Sequence, residues 1–313
     1  MDKLWDVVIV GGGPAGLSAG IYAPRAGLQA LVLERAMPGG QMLETPAIEN
    51  YPGFIEPVSG FDLAEKMRAQ AERLGATFDV AEVTGLAPIE NGWDVRLPEK
   101  AVRARTVIAA TGAHPKQLPA QGAKERVGRG ISYCAICDGF FFRNKTVLVV
   151  GAGDGAFTEA LVLSNLCHRV YMAIHRVQTD PRAVRAKAAL VERVFADPKI
   201  EILWGVEVDE VRGEKTVDSV LLRDVVSGDR RELPVDGVFV KIGWKPNTEW
   251  LRGAVELTED GYVKTDSLMR TDRPGLFAAG DVRDPQSRRA QAVIAAAEGA
   301  LAALSAEWYT RTL

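Results

Sequence analysis

The stretch DVVIVGGGPAG, residues 6–16, decides the fold. It joins a β-branched run, typical of a buried strand, to a glycine pattern of the form GxGxxG. Gly11 permits a tight turn after the strand, Gly13 lets a pyrophosphate approach the backbone, and Gly16 allows the next helix to pack closely. The first turn of that helix would present backbone N–H groups to the phosphates.

The residues that follow complete a dinucleotide-binding unit. Leu17–Ala26 has a helical pattern, and Ala30–Leu33 is a predicted second strand that ends in Glu34. An acidic side chain at that position is suited to accept a hydrogen bond from a ribose hydroxyl, and it would repel a 2′-phosphate. The first site is therefore predicted to bind FAD or NAD.

The same pattern occurs a second time, near the middle of the chain. Thr146–Val150 is a predicted strand, GAGDGA at 151–156 has the form GxGxxA, and Val170–Ile174 is the next predicted strand. That strand ends in His175 and Arg176 rather than in an acid. Because an arginine there can accommodate a 2′-phosphate, the second site leans towards NADP.

A third segment returns the chain to the first site. A short apolar strand ends on Gly280 and Asp281, ahead of a helical stretch at 290–306. An aspartate at the carboxyl end of a strand lies where open α/β sheets bind ligands. We therefore predict an α/β protein with two Rossmann-like dinucleotide-binding domains, the second inserted into the first. The predicted boundaries are 1–114 with 245–313 for an FAD-binding domain, and 115–244 for an inserted NAD(P)H-type domain that contains a CxxC motif.

The composition excludes several classes of function. The 313 residues include 38 basic and 41 acidic side chains, a net charge of −3, which argues against nucleic acid as the main partner. The most apolar run near the C-terminus, Val293–Ala306, contains Glu298 and is too short to cross a membrane. The first apolar run is too short for a signal peptide. The sequence thus predicts a soluble, cytoplasmic protein.

Two of the three cysteines form the motif Cys134-Ala-Ile-Cys137, which Asp138 follows directly. This spacing indicates redox or metal chemistry rather than a disulfide scaffold. A zinc site needs four ligands, and the pair Cys167 and His168 would chelate one ion poorly, so we predict no metal site. Beside a flavin the motif is better interpreted as a dithiol that carries two electrons, with Asp138 as its proton donor or acceptor.

Together these motifs resemble those of the low-molecular-weight, bacterial-type thioredoxin reductases. The similarity covers nearly the whole chain and is strongest at GGGPAG (11–16), IENYPGF (48–54), CAICDGFF (134–141) and GLFAAGD (275–281). It implies non-covalent FAD, a homodimer and a thioredoxin-like protein as partner. It also implies that Cys137 faces the flavin and that Cys134 exchanges with the disulfide of that partner.

The motifs and the resemblance together assign residues to two binding sites. Predicted FAD contacts are Gly11, Gly13, Pro14, Ala15, Gly16, Glu34, Gly40, Gln41, Thr45, Asn50, Val83, Thr111, Gly112, Asp281 and Gln291. Residues assigned to the second dinucleotide site are Gly151, Gly153, Asp154, Gly155, Ala156, His175, Arg176 and Arg182.

The electron-donor site departs from the family's pattern. The usual signature is His-Arg-Arg with a further arginine four residues beyond the second, whereas Val177 and Pro181 stand at those two positions here. Loss of these arginines removes charge-assisted hydrogen bonds to a 2′-phosphate. The donor is therefore left open between NADPH, NADH and reduced ferredoxin, and the second site could instead hold another dinucleotide, such as a second flavin.

Two other functions remain compatible with the sequence. One is a ferredoxin- or flavodoxin-NADP type reductase, and the other is a non-catalytic redox sensor. Only the disulfide reductase would lose all turnover when Cys137 is replaced by serine, and steady turnover of a disulfide protein would exclude the sensor. Neither His114 nor His175 has a carboxylate partner apparent in the sequence, so neither is assigned an acid–base role.

Overall fold

The computed structural model describes residues 3–45, 47–285 and 290–312, without the side chains of Glu44 and Cys137. The chain divides into two compact units, Met1–His114 with Lys245–Leu313, and Pro115–Trp244. Each unit contains a β-sheet of the Rossmann type with helices packed on it, and this sheet is mixed in the first unit and parallel in the second. The predicted α/β class, with two Rossmann-like units of which one is inserted into the other, is therefore confirmed.

Strands and helices are numbered in chain order. The strands are β1 (Leu4–Val10), β2 (Ala30–Glu34), β3 (Thr77–Val80), β4 (Gly85–Ile89), β5 (Gly92–Arg96), β6 (Ala101–Ala109), β7 (Ala113–Pro115), β8 (Ile131–Ser132), β9 (Thr146–Val150), β10 (Arg169–Ile174), β11 (Ile200–Trp204), β12 (Val206–Arg212), β13 (Ser219–Asp224), β14 (Arg230–Pro234), β15 (Gly237–Val240), β16 (Trp244–Pro246) and β17 (Leu276–Ala278). The helices are α1 (Pro14–Arg25), α2 (Gly60–Arg73), α3 (Ala135–Asp138), α4 (Asp154–Ser164), α5 (Ala188–Ala196) and α6 (Ala292–Arg311).

The first unit is built on a sheet in the order β3-β2-β1-β6-β5-β4, with β17 also paired to β6. Strands β1, β2, β3, β6 and β17 are parallel. Their carboxyl ends therefore share one edge, where Gly11, Glu34, Thr111 and Asp281 follow or end four of the strands. Helices α1 and α6 pack so closely that a Cβ at Gly299 would lie 1.9 Å from the Ala15 carbonyl oxygen.

The second unit repeats this design with a sheet in the order β11-β10-β9-β15-β8. All of these strands are parallel, so Gly151, His175 and Lys241, which follow β9, β10 and β15, lie at one edge. An antiparallel sheet, β12-β13-β14, completes the unit, and β16 and β7 form a separate two-stranded sheet. None of the helices in the described ranges combines the length and hydropathy that a membrane span requires.

Both glycine-motif helices begin earlier than the periodicity of apolar residues predicted. The predicted starts were Leu17 and Phe157, whereas α1 begins at Pro14 and α4 at Asp154. Proline is favoured at the first helical position for two reasons. Its φ is already helical, and a backbone N–H at that position would have no partner within the helix, so proline loses nothing by lacking one. The helix N-termini consequently lie inside the glycine motifs, where their N–H groups are available to an anion.

Candidate functional site

The first glycine turn joins β1 to α1 with almost no room for side chains. Gly11 has a φ of +105°, and a Cβ at this residue would lie 2.4 Å from the Ala110 carbonyl oxygen. A Cβ on Gly16 would lie 1.8 Å from the Gly11 carbonyl oxygen. At Gly13 a Cβ would meet no heavy atom of the described residues within 4 Å. Open space at this glycine is what a bound pyrophosphate requires.

Glu34, at the end of β2, is fixed beside this turn. Its Oε2 accepts a hydrogen bond from the Gly12 N–H at 2.7 Å, and its Oε1 accepts one from the Ala36 N–H at 3.2 Å. Gly40 approaches from the following loop with a φ of +55°, and a Cβ there would lie 3.2 Å from the Gly13 Cα. The structure therefore brings these predicted flavin-site residues together around one turn.

The other predicted flavin-site residues are held in smaller groups. Gln41 Nε2 donates to the Ala113 carbonyl oxygen at 2.5 Å, and Asn50 Nδ2 donates to Gln291 Oε1 at 3.0 Å. Thr45 ends a short 3-10 helix, and its carbonyl oxygen accepts from the Gly60 N–H at 2.9 Å.

Asn247, which the sequence analysis did not single out, organises the loop after β6. Its Nδ2 donates to the Thr111 carbonyl oxygen at 2.8 Å, and Thr111 Oγ1 donates to the Asn247 carbonyl oxygen at 2.7 Å. The Asn247 N–H also donates to the Gly112 carbonyl oxygen at 3.0 Å. Val83, another predicted flavin-site residue, packs partly buried against a hydrophobic core that includes Val10, the last residue of β1.

Asp281 lies in a 3-10 turn, Gly280–Val282, directly after β17. Glu298 of α6 holds this turn, because its Oε2 accepts from the Gly280 N–H at 2.7 Å and its Oε1 pairs with Arg283 at 2.5 Å. Both partners of this ion pair are buried. The sequence analysis treated Glu298 only as an interruption of an apolar run. A single acid in an apolar helix is also the signal of a buried ion pair.

The cysteine motif lies at the start of α3, a single helical turn. Cys134 directly precedes this turn, and Cys137 belongs to it. Cys134 is disulfide-bonded and half-buried. Its N–H donates to Ser132 Oγ at 3.0 Å, and Ser132 Oγ donates to Asp138 Oδ2 at 2.6 Å. Ser132, which sequence analysis missed, thus links the backbone of Cys134 to the Asp138 carboxylate, which is predicted to move protons. The side chain of Cys137 lies outside the described part of the structure.

A buried ion pair adjoins α3. Glu159 of α4 accepts a hydrogen bond from the Ala135 backbone and pairs with Lys241 Nζ at 2.7 Å. Burial raises the pKa of Glu159, while Lys241 acts in the opposite direction. Within the described residues, Glu159 Oε2 has no hydrogen-bond partner. Neither residue was predicted, although an acid inside an apolar helix and a lysine directly after an apolar strand are recognisable signals.

Cys167 differs chemically from Cys134 of the motif. It is a free thiol, buried in the core formed around α4 and β9. Burial raises its pKa to about 11, so it stays protonated at neutral pH and is a poor nucleophile.

The second glycine turn has the same close approach as the first. Gly151 has a φ of +143°, and a Cβ there would lie 2.3 Å from the Lys241 carbonyl oxygen. Gly153 precedes α4, and a Cβ on it would meet no described atom within 4 Å. A Cβ on Gly155 would have only the Lys241 Cδ nearby, at 3.9 Å, and Ala156 is buried against the core. The turn is therefore open to a pyrophosphate.

The loop after β10, residues 175–187, is fastened to this turn. The Arg185 N–H donates to the Ala152 carbonyl oxygen at 2.8 Å, and the Lys187 N–H donates to Asp154 Oδ1 at 2.8 Å. Asp154 thus holds the start of α5 in place, in addition to its predicted position at the dinucleotide site.

Three basic residues of this loop are paired with carboxylates. Arg176 Nη1 lies 2.6 Å from Asp180 Oδ2, and Arg182 Nε lies 3.4 Å from Asp180 Oδ1. His175 Nδ1 lies 2.8 Å from Glu207 Oε1 on β12. No carboxylate partner of His175 is apparent in the sequence, because Glu207 is 32 positions away and only the fold brings the two together.

Comparison with known proteins agrees with this geometry. A family model described as pyridine nucleotide-disulphide oxidoreductase matches residues 5–299. A thioredoxin reductase of Treponema pallidum is 47% identical over 100% of this chain and 99% of its own length, and one of Listeria innocua is 41% identical over 100% and 96%. The crystal structure of thioredoxin reductase from Streptococcus pyogenes has a TM-score of 0.83 at 36% identity and covers 100% of both chains.

A family model that covers nearly the whole chain, together with relatives of this similarity, decides the classification. The resemblance drawn from the motifs is confirmed, and so is the expectation of an enzyme. The chain belongs to the pyridine nucleotide-disulphide oxidoreductase family and, within it, to the thioredoxin reductases.

Proposed function

We propose that the chain passes two electrons from a pyridine dinucleotide, through FAD and the Cys134–Cys137 pair, to the disulfide of a thioredoxin-like protein. The observation that carries the proposal is the disulfide-bonded Cys134 whose backbone is joined through Ser132 to the Asp138 carboxylate. A disulfide beside a proton-transferring group is the arrangement that thiol–disulfide exchange requires.

FAD would be held by the first unit. The Gly11–Gly16 turn and the N-terminus of α1 suit its pyrophosphate, since the space at Gly13 is open and Gly11 has the required left-handed backbone. Glu34 would accept a hydrogen bond from a ribose hydroxyl, and Asp281 and Gln291 would bind the rest of the cofactor from the other end of the chain. When bound, FAD supplies the exchange of an electron pair between a dinucleotide and a disulfide.

The cysteines then carry out two exchanges that balance in electrons and protons. Two electrons and two protons convert the Cys134–Cys137 disulfide into two thiols. The Cys134 thiolate attacks the disulfide of the partner, so a mixed disulfide forms and one partner thiolate leaves. The Cys137 thiolate attacks the Cys134 sulfur, which re-forms the pair and releases the second partner thiolate. The two departing thiolates take up the two protons that the cysteine thiols gave up.

Asp138 would move a proton between Cys134 and solvent or the leaving thiolate. For Asp138→Asn we expect the reaction of the reduced enzyme with thioredoxin to slow about 100-fold, because the amide can still accept from Ser132 but cannot take up a proton. Stopped-flow measurement of flavin reoxidation between pH 6 and 9 would check this expectation. Asp197→Asn, in the loop before β11, removes the same charge and should leave the rate unchanged. A loss of less than threefold in Asp138→Asn would refute the assigned role.

The proposed function has a test that does not depend on the donor. The protein, purified with its flavin, is reduced with dithionite under argon, freed of excess reductant and mixed with oxidised thioredoxin. We expect about two thioredoxin disulfides to be reduced per flavin, since flavin and dithiol each hold two electrons. Thioredoxin thiols are counted after acid quenching, and flavin absorbance should return in parallel. An absence of new thioredoxin thiols would contradict the proposal.

A further inference from the structure

We propose that Asp180 makes the second dinucleotide site select a donor without a 2′-phosphate, NADH rather than NADPH. The inference rests on the proposed function, because it takes the glycine turn at Gly151 as the donor's binding site. Asp180 lies in the loop that follows β10, and this strand pairs in parallel with β9, which leads into that turn. In a Rossmann unit the end of the second strand is where the adenosine ribose is recognised.

Asp180 uses both carboxylate oxygens to contact two of the three arginines of the loop, Arg176 and Arg182. Oδ2 pairs with Arg176 Nη1 at 2.6 Å, and Oδ1 accepts from the Arg182 N–H at 2.8 Å and lies 3.4 Å from Arg182 Nε. The Asp180 side chain is only 19% exposed. The hydrogen bonds from Arg182 and Arg176 lower the pKa of Asp180 to about 2, so the carboxylate is ionised at any working pH.

This arrangement disfavours a 2′-phosphate in two ways. The guanidinium groups that would bind the phosphate already have an internal carboxylate partner, and that carboxylate repels a doubly charged phosphate. A ribose 2′-hydroxyl is different, because it can donate a hydrogen bond to a carboxylate. The same side chain therefore opposes one dinucleotide and accepts the other.

A second carboxylate reinforces this preference. Glu207, on β12, pairs with His175 at 2.8 Å and also with Arg223. Of the residues assigned to the second site from sequence, His175, Arg176 and Arg182 are the basic ones, and each is paired with Asp180 or Glu207. The end of β10 thus presents basic side chains that each contact a carboxylate, in place of an unpaired cationic clamp.

Two other basic residues of the loop lie beside the glycine turn. The Arg185 and Lys187 N–H groups donate to the Ala152 carbonyl oxygen and to Asp154 Oδ1, and Lys187 Nζ lies 3.8 Å from Asp154 Oδ2. A pyrophosphate binds at such a turn, and it is common to NADH and NADPH. We therefore assign the discrimination between the two donors to the end of β10.

The test uses the flavin-containing protein and two nucleotide probes that differ only in the 2′-phosphate, AMP and adenosine 2′,5′-bisphosphate, in calorimetric titrations at one ionic strength. We expect the wild-type chain to bind AMP at least about tenfold more tightly than the bisphosphate. Asp180→Asn keeps an oxygen for the Arg182 N–H but removes the charge, so this preference should fall by about tenfold or more. NADH should likewise bleach the flavin at lower concentration than NADPH, and the variant should narrow that difference.

Asp197→Asn is the matched control. Asp197 Oδ1 accepts a hydrogen bond from the Lys199 N–H, two residues further along the chain, just as Asp180 Oδ1 accepts from the Arg182 N–H. Asp197 differs in position, because it lies before β11, at the opposite edge of the parallel sheet. Its replacement should not change the ratio of the two affinities. The inference is overturned if the wild-type chain prefers the bisphosphate, if Asp180→Asn leaves the ratio unchanged, or if neither probe binds. Each of these failures leaves the reaction of dithionite-reduced protein with thioredoxin intact, so the two proposals fail separately.

Discussion

In Cys134→Ser, turnover of thioredoxin disulfide should fall at least about a thousandfold, because the variant lacks the sulfur that exchanges with the partner. The flavin should still be bleached by the donor, since FAD and the glycine turns lie outside the change. Steady-state reduction of thioredoxin, followed by the appearance of its thiols, measures the first effect. Anaerobic flavin absorbance measures the second. Together, the two measurements distinguish a variant that has lost the thiol exchange step from one that has lost its flavin.

Cys167→Ala is the control that the chain itself offers. Cys167 is buried and protonated, so its removal should change turnover by less than about twofold. A Cys134→Ser variant that kept its turnover would show that electrons leave the flavin by another route. That outcome would refute the exchange role assigned to Cys134.

Lys241→Met should have the largest effect on stability. The change leaves the Glu159 carboxylate buried without its cation, and breaking a buried pair in this way costs about 3–5 kcal/mol. Methionine fills a volume similar to the lysine stem, so the loss reports the charge rather than a cavity. Urea unfolding followed by far-UV circular dichroism would measure the difference in the free energy of unfolding.

The same variant should show a steeper dependence of stability on pH. Burial raises the pKa of Glu159 in the folded chain above its ordinary value, so the folded state holds the proton more tightly than the unfolded state. The free energy of unfolding therefore falls as pH rises from the unfolded value, about 4.5, through the folded one. Without Lys241 the folded pKa rises further, and the decline should become larger and extend to higher pH.

Two further variants make this result interpretable. Lys245→Met breaks an exposed pair with Glu249, at 2.6 Å, and should cost no more than about 1 kcal/mol. The double variant Lys241→Met with Glu159→Gln removes both charges and should recover most of the stability. If Lys241→Met cost no more than Lys245→Met, the buried pair would not be the structural element that we describe.

The sequence predicted what depends on local backbone geometry. A glycine with a left-handed φ and no room for a Cβ, such as Gly11 or Gly151, leaves a pattern that can be recognised along the chain. At the first site, the strand before Gly11, the helix after it and the acid Glu34 all lie within about 25 residues of this glycine. These parts of both sites were predicted with nearly correct boundaries.

Charge partners could not be predicted in the same way. Glu159 and Lys241 are 82 residues apart in the sequence, and nothing local indicates that the sheet order places β15 beside β9 and α4. Arg176 was predicted to accommodate a 2′-phosphate because it follows the second strand in place of an acid, but the loop directs Asp180 onto it. Such pairing depends on side-chain directions that only the folded loop determines. The sequence therefore did not predict the preference that we propose, for a donor without a 2′-phosphate.

The buried pair of Glu298 and Arg283 has a consequence for biosynthesis. Both residues belong to the last part of the chain, together with β17, which pairs with β6, and α6, which packs on α1. The first unit therefore lacks a strand, a helix and the turn at Asp281 until the ribosome has translated the inserted unit. The inserted unit is continuous in sequence and can fold while still attached to the ribosome. The reductase would thus acquire its thiol chemistry before it can retain its flavin.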